Sequence, residues 1–286
     1  MHITVILVIL YILNSIRVGV GPWKFFRVNS RYFSREKGIF SKLEIDQLIP
    51  ERWRLMQCID GEHIEPDAYP VFLKPEWGQN GNGIVRADSA KQLAEIRSEY
   101  AIENRRYMIQ EAATGSREFE IFGIKSGREG KHHDLVTVTE SVNDSSDYPI
   151  NSVNNKQTVY LERTDRFTAE QLSTLSGFIQ EIGEFAITRM CARADSEEAL
   201  LAGDFQIIEV NLFIPFPINL VDPRYTWGKR LRFINHAMYL LAHATRNMKP
   251  DRNPPAILTR MIFYGRTRGI MQRPSGRPIG TRRTHP

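Results

Sequence analysis

Two short apolar runs joined by a glycine-rich turn, residues 69–87 (YPVFLKPEWGQNGNGIVRA), constrain this chain more than any other stretch. Residues 71–73 read as a buried strand, and Lys74 adds a positive charge at its end. Gly78, Gly81 and Gly83 follow, and glycine lets backbone N–H groups approach an anion with no Cβ in the way. The same residues also make an ordinary hairpin connection. Under either reading the segment commits the chain to a sheet, and the segments downstream bear on which reading applies.

Residues 107–125 (YMIQEAATGSREFEIFGIK) hold two strand-like runs that carry Glu111 and Glu118, with a turn at Gly115 between them. A carboxylate just past a strand can accept ribose hydroxyls. Further on, MCARADSEEALLAGDFQIIEVN ends one apolar run with Arg193 and Asp195 and another with Glu209 and Asn211. Residues two apart on a strand share a face, so each pair points together. Acidic groups, an amide oxygen and a guanidinium converging on one surface suit magnesium beside a phosphate.

In this order and spacing the elements resemble the ATP-grasp superfamily, and within it the carboxylate–amine ligases of the D-alanine–D-alanine ligase type, over about residues 43–223. The strongest parts are LKP with its glycine loop, QEAATGSREFE, R-A-D and IIEVN. The resemblance implies an α+β fold in which two α+β lobes sandwich ATP, with one or two Mg²⁺ ions. It implies that Lys74 contacts the α- and β-phosphates and that the loop from Glu76 through Gly78 and Gly81 to Gly83 closes over them. Gln110, Glu111, Ala112 and Ala113 would hold the adenine, Glu118 the ribose, and Asp195, Glu209 and Asn211 the metal. Arg193 would face the charge that develops on the transferred phosphoryl group. Lys156, in the polar segment 148–160, would be a second phosphate contact, and Lys42 the family's further lysine ahead of the LKP strand.

The family also carries a complete α/β domain ahead of its core, and too few residues precede Leu43 to build one. Part of the acceptor surface is then expected to be missing, or supplied by a second copy or a partner chain. The expected activity is an ADP-forming ligation of a small carboxylate to an amine through an acyl phosphate. An ATP-grasp kinase acting on a small molecule, or a scaffold that binds ATP without turnover, are the alternatives.

Composition bears on the partners. The chain carries a formal charge of +5, but the stretch 265–286 holds +6 and residues 1–37 hold +5, which leaves the 38–264 body at −6. An acidic body argues against binding nucleic acid along its backbone. The arginine-rich end, with its prolines and glycines, reads as a disordered extension. Cys58 and Cys191 form neither a metal spacing nor a disulfide framework, and Cys191 reads as a small buried residue. His132 and His133 read as solvated turn residues.

Residues 3–13 are continuously apolar, short of the ~20 residues that span a bilayer. Three readings stay open: a short signal anchor, an amphipathic or buried first helix, and a buried strand. The basic residues from Arg17 to Lys37 all follow this run, which on the positive-inside rule would keep the body cytoplasmic even with the segment inserted. The domain reading is therefore an N-terminal segment 1–37, an ATP-grasp domain 38–264 and the tail 265–286.

Overall fold

The computed structural model describes residues 2–61, 64–76, 78, 81–103, 107–127, 132–145, 147–248 and 255–259. The tail 265–286 lies outside them, as do Trp77, Gln79 and Asn80 of the glycine turn. The architecture is α+β, built on two antiparallel sheets. The first is four-stranded, in the order β1 (Gln57–Ile59), β4 (Tyr107–Glu111), β2 (Val71–Pro75), β3 (Val85–Ala87). The second is five-stranded, in the order β7 (Val159–Glu162), β6 (Leu135–Val142), β5 (Arg117–Ile124), β8 (Ile187–Ala194), β9 (Gln206–Asn211).

Side-chain oxygens start most of the helices. Ser41 precedes α2 (Lys42–Asp46), Thr168 precedes α4 (Ala169–Ile182), Ser196 precedes α5 (Glu197–Ala202) and Thr226 precedes α6 (Trp227–Arg246), each accepting a first-turn N–H. Ser89 does the same for α3 (Ala90–Glu103), accepting from Gln92 N at 3.3 Å. From the sequence, Thr168 with Gln171 predicts a capping box for a helix to about Phe185 with Leu172, Leu175, Phe178, Ile179 and Ile182 as its inward stripe, and at α4 that box is complete. Its inward stripe is the expected one, with Leu175, Ile179 and Ile182 buried and Leu172 and Phe178 packed beside them. The helix stops at Gly183, ahead of Phe185.

The second sheet carries two different faces. Phe119 and Ile121 of β5, Val136 and Val138 of β6, and Met190, Ala192 and Ala194 of β8 point to the α4 side and form the main core with Trp53 and Phe205. The opposite face of β5 reads Glu118, Glu120, Phe122, Ile124, so it changes from polar to apolar halfway along the strand. The apolar half, with Ile187, is covered by α6 and by α1 (Ile3–Val18). Because α6 covers one half only, the polar half faces the first sheet and the 143–158 connection.

Residues 3–18 thus form a helix, and the buried-strand reading of this segment is corrected: β-branched and aliphatic residues suit either element, and the contact with α6 decides. The chain then passes through the 3-10 turn Pro22–Arg27 into the body. There Asn29 donates to the carbonyls of Ile187 (2.7 Å) and Leu212 (3.0 Å) and accepts from Ala186 N (3.0 Å). With Phe33, Ile39 and Phe40 in the main core, the N-terminal segment is packed into the same body as the sheets.

Candidate functional site

Where the sheets meet, α2, β2, β4 and β9 bring charged side chains together. Lys42 begins α2 and its Nζ lies 3.1 Å from Glu209 Oε1 on β9. Lys74, buried in β2, donates to Gln110 Oε1 on β4. Gln110 Nε2 in turn donates to Gln57 Oε1 (3.2 Å) and across to the Ile208 carbonyl of the second sheet (3.1 Å). Lys42, Asp46, Gln57, Lys74 and Glu209 line one cleft of about 310 Å³, its open mouth included. The spacing between Lys42 and Lys74 therefore does not keep them apart.

The electrostatics follow from this crowding. Burial, with Lys42 nearby, lowers the Lys74 ammonium to about 8 in spite of Glu209. Burial alone would raise Glu209, but Lys42, Lys74 and Arg189 hold it ionised, down to about 2. Asp46 is raised to about 6, chiefly by burial. On the neighbouring sheet face, burial and the Glu120 charge raise Glu118 to about 7. Burial and the same two carboxylates push the Cys191 thiol well up.

Strand register decides which residues share that face. Glu209 stands opposite Cys191, and Asn211 opposite Arg189; Cys191 stands opposite Glu120 on its other side. Asp195 lies four residues beyond Cys191, roughly 13 Å along the strand direction. It is exposed and accepts from Ser116 N at 3.0 Å. The expected set of Asp195 with Glu209 and Asn211 is thus not brought together, and a bulge at Cys191/Ala192 offsets the register further. Arg193 is buried, pairs in register with Glu118, and donates to the Asp147 carbonyl at 3.0 Å while lying over the Tyr148 ring.

Arg189 and Glu120, on the sheet face shared with Glu209 and Asn211, escaped the sequence reading. Arg189 approaches Glu120 at 3.0 Å, and ligand atoms of Glu118, Glu120 and Cys191 all lie within 4.8 Å of one another. Several buried polar atoms on this face, Thr139 Oγ1, Ser141 Oγ, Arg193 Nε and Asn211 Nδ2, have no hydrogen-bond partner among the described residues. Buried polar groups are otherwise satisfied almost without exception, so such a set points to a ligand or water. For a hard cation the donors suit in part. Glu209 is an ionised carboxylate with Asn211 on the same face, which matches magnesium's use of one or two protein oxygens plus phosphate, whereas the Cys191 thiol does not.

The remaining predicted residues fall into two groups. Gly81 and Gly83 have left-handed φ of 69° and 76°, as a turn approached by an anion allows, and the 143–158 connection reaches over Gly81 through Ser152. Gly78 packs on Pro75. Glu76 is buried and paired with Lys37 at 3.2 Å. Glu111 accepts from Met56 N at 2.7 Å and leads through Ala112 and Ala113 into the second sheet. Lys156 is exposed in the turn before β7. His132 is exposed, but His133 is buried against Ser176 Oγ, 2.8 Å from its Nδ1, and burial lowers it to about 4, so its solvated reading is corrected.

Comparison with protein families and with curated proteins finds no match. Among solved structures the chain is similar to an L-amino acid ligase from Bacillus licheniformis (16% identity, TM-score 0.46), covering 73% of this chain and 48% of that one. It is similar also to the VanG D-Ala:D-Ser ligase from Enterococcus faecalis (14%, TM-score 0.46), covering 70% and 61%. A third is the ATP-grasp ligase PsnB in complex with a precursor variant, Mg and ADP (13%, TM-score 0.45), covering 72% and 58%. The chain spans about half to three-fifths of the length of these proteins.

Proposed function

We propose that the chain binds MgATP between its two sheets and uses it to activate a small carboxylate for attack by an amine. One observation carries this reading: Lys42, Lys74 and Glu209 converge where the sheets cross, beside a sheet face whose buried polar atoms lack partners. In this reading Lys42 and Lys74 neutralise the inner phosphates, and the strand end from Gln110 to Ala113 lies along the adenine. Glu118 takes the ribose. Glu209 and Asn211 would hold Mg²⁺, which would supply positive charge to screen the phosphates. Asp195 has no metal role here, and Arg193, with Arg189, faces the transferred group.

The chemistry is two displacements. A carboxylate oxygen of the acid attacks the γ-phosphorus, the bond to the β–γ bridging oxygen breaks, and ADP leaves. The arginines and lysines stabilise the charge spread over the equatorial oxygens. An uncharged amine then attacks the acyl carbon, phosphate leaves, and the surplus proton of the amine goes with it. The 143–158 connection, which reaches over the glycine turn, keeps water from the acyl phosphate.

The test is incubation of the full chain with ATP, Mg²⁺ and pooled carboxylates and amines, followed by mass spectrometry. A condensed product with stoichiometric ADP is expected. A phosphorylated product without condensation would make the chain a kinase, and ATP retained without any turnover would make it a nucleotide-binding scaffold.

A further inference from the structure

The first helix carries an apolar stripe on its outer face as well as on the face it packs against the core. Along α1, Val5, Val8, Ile9, Ile12, Leu13 and Ile16 recur at helical spacing and are between 39% and 66% exposed. Tyr11, Asn14 and Ser15 of the same helix are turned inward against α6. Tyr11 Oη lies 3.1 Å from Thr245 Oγ1, Asn14 Nδ2 donates to Asn235 Oδ1 at 3.2 Å, and Ser15 is fully buried. A helix on a water-soluble surface turns its apolar stripe to the core and a polar stripe to solvent. The outer stripe of α1 is unbroken by a charge, and the core does not use it.

The flanking residues say what covers it. Trp23 follows in the 3-10 turn and is 70% exposed, with Lys24 and Arg27 exposed beside it and Arg17 exposed at the end of the helix. An exposed tryptophan next to basic side chains at the margin of an aliphatic stripe complements the headgroup layer of an anionic membrane. Crossing the membrane does not fit. The 16 residues of α1 extend about 24 Å, less than the ~30 Å hydrocarbon layer. Among the described residues no single helix is long and apolar enough to cross, and the chain bends by 103° after α1. An upright helix would also lose its hydrogen bonds to α6.

We infer that α1 lies in the plane of an anionic bilayer surface, its Val5–Ile16 stripe in the acyl region and Arg17, Lys24 and Arg27 at the headgroups, with the body held on it through α6. This attachment is independent of the catalytic reading.

The full chain, mixed with phosphatidylcholine vesicles containing a minor share of phosphatidylserine, should sediment with them. Val8→Glu with Ile16→Glu should lower the bound fraction at least about tenfold, with no change in melting temperature without lipid, because both side chains are exposed. Lys24→Gln with Arg27→Gln should lower binding to the phosphatidylserine vesicles about fivefold per charge and leave weak binding to pure phosphatidylcholine unchanged. A chain that stays in the supernatant overturns the proposal. So does a dimer that the double glutamate variant splits without vesicles, since the stripe would then belong to a second copy. Reaction of a thiol introduced by His2→Cys with an impermeant reagent trapped inside sealed vesicles, and not with the same reagent added outside, overturns the in-plane placement.

Discussion

At the scale of single residues, Glu209 and Asp195 separate two accounts of the same polar motifs. Alternation shows that Glu209 and Asn211 share a face, and the structure keeps them so. It does not show which residue of the next strand stands opposite, because register is set by pairing along the whole of β8 and β9 and by the bulge at Cys191. That is why R-A-D was legible as a polar pair but not as a neighbour of Glu209, and why Arg189, hidden in an apolar run, was missed. Glu209→Gln should lower ATP turnover by about 100-fold or more, in the range of losing a charged transition-state contact, while Asp195→Asn stays within about twofold. Steady-state ADP release decides it, and equal losses in both variants would return Asp195 to the metal. Glu118 offers a second check through pH. Folding raises its carboxyl from 4.5 to about 7, so between these values the folded chain keeps a proton that the unfolded chain has lost. Stability from this group is present below about pH 4.5 and lost as the pH rises through 7. The melting temperature of Glu118→Gln relative to the parent should therefore climb over that interval and level off above it. A flat difference would mean that Glu118 is ionised throughout.

Among the elements, a helix with a cap and a 3.6-residue stripe was legible in advance, as α4 demonstrates, while α1 was not. Its sequence is aliphatic on every side but for Thr4, Tyr11, Asn14, Ser15 and Arg17, and only the partner helix tells which side is inner. The segment joining β4 to β5 shows what the sequence could hint at and what needed coordinates. Gly115 was legible as a turn. That it lies against the β8 backbone was not: a Cβ there would stand 2.5 Å from Ala194 N and 2.6 Å from the Arg193 carbonyl carbon. Those atoms belong to a central strand and cannot give way. Gly115→Ala should cost about 1–3 kcal/mol, read as a shift in the urea midpoint. Gly177→Ala makes the control, since nothing lies within 4 Å of that position and helix propensity favours alanine. Comparable midpoints for the two variants would mean that β5 and β8 can move apart locally.

Across the whole molecule, the division at residue 37 does not correspond to a break in packing. Ile6, Tyr11 and Val18 share a core with Phe122, Ile124 and α6, and Asn29 ties β8 to β9. A chain starting at Gly21 would uncover that core. Losing these three side chains alone removes on the order of 5 kcal/mol of apolar burial, comparable with the whole stability of an ordinary domain. Truncation should give a chain that unfolds at a far lower temperature or aggregates, seen by differential scanning fluorimetry and size exclusion. A truncated chain with unchanged melting would make α1 an appendage. The two-sheet plan was legible because strand runs and turn residues alternate along 69–125 and 187–211, whereas the covering of one half of a sheet face by α1 and α6 depends on contacts between the chain's two ends. The linker between the sheets bears on how such a molecule could move. Thr114 N donates to Gln206 at 2.8 Å, Ser116 N to Asp195 at 3.0 Å, and Gly115 lies on the β8 backbone, so from Thr114 onward the linker is riveted to the second sheet. Glu111 is fastened to the first sheet through Met56. The chain also crosses between the sheets after Arg54, which bridges Ile207 of β9, so a gape of the cleft pivots on two straps, Ala112–Ala113 and Leu55–Met56, and the arc travelled by each residue of the first sheet grows with its distance from that line.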